Sequence, residues 1–414
     1  MRGSIWRSSV GRRDIPGYVG NKARSHGDDL RGASQLAIEA TRGVMELVEE
    51  MQVASASGPA ILGRPLERPA KLVTGVLYGA IKGITTLVGA TIDVALERLA
   101  PLLGKSSPGL EREAVLGALN GVLGDYLHEQ GNPLAIEMRL RSGGEPLELT
   151  PEALRAAFPA ASKKLLVLVH GSCSTDQLWL RAGHDHGAAL ARDLGYTPIY
   201  VHYNSGLHIS TNGRLLAGLL AELVAAWPIA VERLDILGHS MGGLVARSAC
   251  VVGDDAGHAW RSRLHALVGI GVPHHGAPLE RGGSWLHLLL GVSRFSAPFA
   301  RLGRIRSAGI TDLRYGNILD EHWQGRDRFE IHDDPRRALA LPANVHCYAL
   351  AGTLSTEHGE RMRGDGMIPI ASALGTHDTL SLGFPEAHRA IALGVGHIDL
   401  LGPATYDTIR AWLT

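Results

Sequence analysis

The sequence predicts an α/β fold: a mostly parallel sheet with helices on both faces, entered through an antiparallel hairpin and carrying a cap insertion. Three observations lead there. Short apolar runs of strand length alternate with helical periodicity from about residue 133 to the end. One of those runs passes through Gly238-His239-Ser240-Met241-Gly242-Gly243 directly into a helical pattern. The connection from Val272 to Leu341 is far too long for an ordinary crossover and must hold structure of its own.

Composition sets the bounds. The chain has 414 residues, 45% hydrophobic and 20% charged, which is a globular balance with room for a large core and an accessory region. Lys and Arg together number 41, as do Asp and Glu, so no overall field draws in nucleic acid, and none is expected as a partner. Three cysteines, Cys173, Cys250 and Cys347, are odd in number and apolar in setting, the pattern of reduced core thiols in a cytoplasmic protein.

Residues 1–30 hold several arginines and no apolar run, and are expected to form a disordered basic tail. Residues 31–132 are expected to be a helical accessory region. Its first helix runs over 33–51, where Ala37, Ala40, Val44, Leu47 and Met51 share a face. Across 71–99 only a narrow stripe containing Lys71, Lys82, Asp93 and Glu97 is polar, so this helix needs a partner: the protein's own core, a second subunit or a membrane surface. Peripheral membrane contact is therefore assigned to 71–99 if to any segment; the oligomeric state is left open. A third amphipathic helix, over 111–129, stops at Gly131-Asn132-Pro133, and the domain boundary is placed there.

The period then changes from helical to alternating. Leu134, Ile136, Met138 and Leu140 alternate with polar neighbours, turn at Ser142-Gly143-Gly144 and resume at Leu147 and Leu149, which predicts a hairpin. Strands follow over 165–169, 198–202, 234–237, 264–269, 345–350 and 389–393, with helices over 177–194, 212–227 and 243–252. Residues 279–341, with Trp285, Leu286, Leu288, Phe295 and Phe299, are expected to form an apolar cap within a domain spanning 133–414.

The turn around Ser240 is where chemistry is expected. A serine at the tip of a sharp strand-to-helix turn sits in strained backbone, its glycine neighbours let strand and helix approach, and the helix aims N–H groups at any anion formed beside it. A serine hydroxyl is a weak nucleophile, so a base and a group orienting that base are required. In a sheet of this kind they lie after strands. His397, in the Gly396-His397-Ile398 turn after the last strand, is the candidate base, with His388 as competitor. Asp365, between Gly364 and Gly366 after the preceding strand, is the candidate orienting acid, with Asp378 and Glu386 as alternatives. The oxyanion formed on attack needs backbone N–H donors. Met241 follows the nucleophile, and Ser172 lies in His170-Gly171-Ser172-Cys173 after the first parallel strand. This chemistry calls for no metal or cofactor. His184-Asp185-His186 and His274-His275 lack a third ligand at zinc spacing, and Gly269-Ile270-Gly271 is not followed by the glycine a dinucleotide site needs.

Taken together, His170-Gly171, Gly238-His239-Ser240-Met241-Gly242-Gly243, Gly271-Val272-Pro273-His274-His275-Gly276-Ala277-Pro278, Gly364-Asp365-Gly366-Met367-Ile368-Pro369 and Gly396-His397-Ile398-Asp399-Leu400-Leu401 resemble the α/β-hydrolase superfamily. The similarity is to serine lipases and esterases, in particular bacterial lipases and GPI inositol-deacylase-like hydrolases. It implies the α/β-hydrolase fold, a Ser240–Asp365–His397 triad and N–H donors at Ser172 and Met241. The expected function is cleavage of a lipophilic carboxylic ester through an acyl-enzyme. Acyl transfer or thioester cleavage would use the same residues. From a different class, the rival is a lipid-binding or membrane-surface protein on an inactive hydrolase scaffold.

Overall fold

A computed structural model describes residues 110–277, 307–327, 334, 336–337, 339–359 and 363–414. The basic tail over 1–30, the helices expected over 33–51 and 71–99, and the apolar run of the cap from Trp285 to Phe299 lie outside the described residues.

Eight strands form one sheet in the order β2-β1-β4-β3-β5-β6-β7-β8. Helix α1 (Leu110–Glu129) precedes the hairpin β1 (Arg139–Ser142) and β2 (Glu145–Pro146), and α2 (Pro151–Ala157) follows it. Then β3 (Lys164–Val169), α3 (His186–Leu194), β4 (Thr197–His202), α4 (Ile209–Ala226), β5 (Arg233–His239), α5 (Met241–Asp255) and β6 (Leu264–Ile270) alternate. Short helices α6 (Ala308–Asp312) and α7 (Ile370–Ala373) flank β7 (His346–Thr353), and β8 (Arg389–Leu393) and α8 (Tyr406–Leu413) close the chain. Strands β3 to β8 are parallel, and β1 runs antiparallel to both β2 and β4. This is the α/β-hydrolase fold.

The alternation of side chains divides the core into two layers. Leu165, Val167 and Val169 of β3 pack with α4 and α5 through Leu216, Leu220, Leu244 and Val245. Leu166 and Leu168 face the opposite way, toward Leu190 of α3 and Ile409 and Leu413 of α8. Each such aliphatic side chain contributes roughly 1.5 to 3 kcal/mol when fully buried. Where α4 crosses α5 the backbones come close because Gly213 has no side chain: a Cβ there would lie 2.4 Å from that of Ser248.

Two sequence expectations need revision. The alternation from Leu134 is real in burial, with Leu134, Ile136 and Leu140 all enclosed, but the ladder begins only at Arg139, opposite His202 at the end of β4. Upstream, the backbone pairs with a side chain instead: Asn120 of α1 donates to the Leu134 carbonyl at 2.9 Å and accepts from the Ile136 N–H at 2.8 Å. The helix expected over 177–194 is two pieces. A single 3-10 turn (Asp176–Trp179) ends before Ala182 and Gly183, both at positive φ, and α3 starts afresh at His186 with the Asp185 carboxylate capping the Ala188 N–H at 3.0 Å.

Helix α1 lies directly against the sheet domain. Its side chains Leu116, Leu119, Val122, Leu123 and Leu127 are buried. Arg141 of β1 pairs with Glu113 of α1 and with Asp176, each at 3.0 Å, and His202 joins Asp176 at 2.9 Å. No described helix is long and apolar enough to cross a membrane.

Candidate active site

The C-terminal ends of the parallel strands bring the candidate residues to one edge of the sheet. Ser240 follows β5 with φ 53° and ψ −126°, a conformation costing a residue with a side chain about 1 to 3 kcal/mol. Its surroundings hold it there. The Ser240 N–H donates to the Ile270 carbonyl at 2.9 Å, and its own carbonyl accepts from Gly243 at 3.0 Å. The glycines make the turn possible: a Cβ on Gly238 would stand 2.5 Å from the Gly243 Cα, and one on Gly242 would stand 2.3 Å from the Val169 carbonyl. Ser240 is 3% exposed and sits on Gly171, where an added Cβ would lie 3.1 Å from the Ser240 Cβ.

Asp365 and His397, 32 residues apart, meet twice. The His397 ring donates from Nδ1 to Asp365 Oδ2 at 2.7 Å, and the His397 N–H donates to the Asp365 carbonyl at 3.0 Å. The second carboxylate oxygen accepts from the Met367 and Ile368 N–H groups at 2.9 and 2.7 Å. Burial pushes the Asp365 carboxyl upward, but the His397 ring and these donors outweigh it and hold it below the usual carboxylate range, so it is ionised at neutral pH. With Nδ1 committed, the buried Nε2 of His397 has no hydrogen-bond partner among the described residues. The tight Gly364-Asp365-Gly366 loop needs its glycines, whose φ values are 145° and 95°.

The alternatives fall elsewhere. His388 lies at the opposite end of the sheet, its Nδ1 3.1 Å from the Cys347 carbonyl, and Asp378 and Glu386 are exposed. The His184-Asp185-His186 group is structural, Asp185 capping α3 and accepting from Tyr200 at 2.7 Å.

Ser172 and Met241 are both buried on the Ser240 side of the sheet edge. The loop carrying Ser172 is shaped by residues that the sequence alone did not single out. Tyr203 donates to the His170 carbonyl at 2.9 Å and stacks on the His170 ring, and Ser205 accepts from the Cys173 N–H at 3.0 Å. Both stand just beyond β4, the position that marks them. Burial drives His170 down to about 3, keeping it neutral. His239, beside the serine, donates from Nε2 to the His397 carbonyl at 3.1 Å, and burial also takes it down to about 3. It ties the turn after β5 to the turn after β8. Such an arrangement, a strained serine at the same sheet edge as a histidine locked to a buried carboxylate, though with no hydrogen bond between Ser240 Oγ and His397 Nε2, has the parts for nucleophilic acyl transfer.

Residues 219–333 match the PGAP1-like alpha/beta domain, a stretch that includes Ser240 and ends before Asp365. No curated protein sequence matches the chain. Among solved structures, the mature Bacillus licheniformis lipase BlEst2 is similar at 17% identity and TM-score 0.42, covering 67% of this chain and 98% of its own. Aspergillus fumigatus lipase B is similar at 14% identity and TM-score 0.35, over 63% and 56% of the two chains. A lipase-esterase related protein from Clostridium acetobutylicum is similar at 10% identity and TM-score 0.32, over 61% and 93%.

Proposed function

We propose that the chain is a serine hydrolase that cleaves carboxylic esters with lipophilic acyl chains. Ser240 attacks the acyl carbon while His397 Nε2 takes its proton. Asp365 holds the imidazole in the tautomer that leaves Nε2 free to accept, and stabilises the imidazolium formed. The tetrahedral oxyanion is met by the Met241 N–H at the start of α5 and by the Ser172 N–H. His397 then protonates the leaving alcohol, and water, activated by the same nitrogen, releases the acid from Ser240.

The observation that carries the proposal is the 2.7 Å bond between His397 Nδ1 and Asp365 Oδ2, both side chains buried, at the sheet edge where Ser240 holds φ 53°. The lipophilic acyl group is proposed from the apolar sequence of residues 279–341. Fluorophosphonate labelling of the full chain tests the nucleophile: wild type should label and Ser240→Ala should not. Turnover of p-nitrophenyl esters of increasing acyl length then sizes the acyl site, with longer chains preferred. Well-folded wild-type protein that neither labels nor turns over any ester would overturn the proposal.

A further inference from the structure

Beneath the loop that follows β6 lies a half-open pocket lined among others by Arg247, His274, His322, Arg336, Arg337 and Leu382, and by none of Ser240, Asp365 or His397. Arg247 rises from the middle of α5 and is only 6% exposed. Its one hydrogen-bond partner among the described residues is His274 Nδ1, at 3.3 Å from Nη1. No carboxylate among the described residues is bonded to it. The nearest guanidinium, that of Arg336, is already held by both oxygens of Asp334, at 2.7 to 3.1 Å, and donates its remaining nitrogen to the His274 carbonyl at 2.9 Å. Burial lowers Arg247 to about 10, which leaves it charged at neutral pH.

His322 adds a donor. Arginine can only donate, so His274 Nδ1 accepts from Arg247 and its proton sits on Nε2. The Ile318 N–H donates to His322 Nδ1 at 3.2 Å, which puts the His322 proton on Nε2 as well. Both Nε2 atoms are buried and have no partner among the described residues. Burial holds both rings below the ordinary histidine range, so both are neutral imidazoles. Among the described residues, then, the lining combines a buried cation that meets no counter-charge with the unanswered His322 N–H, while His274 Nε2 lies toward β6, 3.5 Å from where a Cβ on Gly269 would stand; an isolated buried charge is strongly destabilising until a counter-charge joins it. A metal ion does not fit, because the guanidinium would repel it. The one group with converging metal-ligand atoms among the described residues is Glu113, Asp176 and His202, elsewhere in the molecule and already bridged by Arg141.

We propose that this pocket binds a phosphate group, either inorganic phosphate or the phosphomonoester headgroup of a lipid. The forked N–H groups of Arg247 hold it, His322 donates to another of its oxygens, and Arg337 draws it in at the rim. Donors arriving from two separate segments, α5 and the turn at Asp320–His322, with Arg337 at the rim, match a tetrahedral oxyanion better than a planar carboxylate. The site stands independently of any role for Ser240.

Calorimetric titration of the full chain with inorganic phosphate and with glycerol phosphate tests it, alongside thermal melts in phosphate and in chloride at matched ionic strength. Wild type should bind phosphate saturably and melt higher as phosphate rises. Arg247→Met should weaken binding about a hundredfold and His322→Phe about tenfold, with circular dichroism spectra unchanged. If Arg247→Met does not fold, His322→Phe decides. Glycerol phosphate binding more tightly than phosphate supports a lipid headgroup, and phosphate binding at least as tightly supports the free anion. No saturable phosphate binding to wild type, or unaltered binding in the folded variants, would overturn the proposal.

Discussion

At the scale of single residues, the proposed triad makes unequal demands on its members. Ser240→Ala removes the nucleophile and should cost on the order of 10⁶ in kcat for ester hydrolysis. Asp365→Asn is subtler: the amide oxygen can still accept from the Met367 and Ile368 N–H groups, but its NH₂ would face His397 Nδ1 and favour the wrong tautomer. A loss of about 10⁴ in kcat with little change in KM is expected, measured on the same ester. Stability follows a separate pH rule. Asp365 is held below the unfolded carboxylate range, so its contribution is complete above that range and is lost as pH falls through the folded value. The stability gap between wild type and Asp365→Asn should therefore hold down to the ordinary carboxylate range and narrow only below it, as read by urea melts at pH 7 and at about pH 3. Ser240 was legible in the sequence because its flanking glycines, the apolar run before it and the helix after it all point to one turn. Asp365 and His397 were legible through their order along the chain and their glycine settings. Arg247 was not: on a helix it reads as one more surface arginine, and only the packing shows that it is buried with no counter-charge among the described residues.

At the scale of elements, two helix glycines separate propensity from packing. Gly218 in α4 has nothing within 4 Å of where a Cβ would go, so Gly218→Ala should stabilise the protein by about 0.5 to 1 kcal/mol. Gly121 in α1 gains the same propensity, but a Cβ there would stand 2.6 Å from the Cys173 Cα. The clash should outweigh the gain, and Gly121→Ala should destabilise by about 1 to 3 kcal/mol. Chemical denaturation of the two variants checks both signs. Packing of the same helix explains why the hairpin was misjudged in extent: the alternation at Leu134 and Ile136 reports burial faithfully, but the ladder partner is the Asn120 side chain, which no local pattern encodes. The break in the 177–194 helix had its signals in plain view, Gly183 and the capping Asp185.

At the scale of the whole molecule, buried neutral histidines set the acid limit. His170 and His239 are both held near 3 by burial, whereas the unfolded chain binds protons near the ordinary value of 6.5. Below pH 6.5 the unfolded state takes up more protons, so each of the two lowers stability by about 1.4 kcal/mol per pH unit. The melting temperature should fall steeply between pH 6.5 and 4.5, and His170→Phe should flatten that slope by one proton's share. The overall fold was legible because strand and helix periods alternate so regularly; the docking of α1 was not, since it rests on Arg141, Asp176 and Asn120 meeting across long separations. The sheet also has two unlike margins. On one side β2 is two residues long and ends in Pro146, which has no N–H to offer. A second chain could not extend a ladder there, so among the described strands any copy-to-copy zippering, whether orderly dimer or aggregate, has only β8 to grow from.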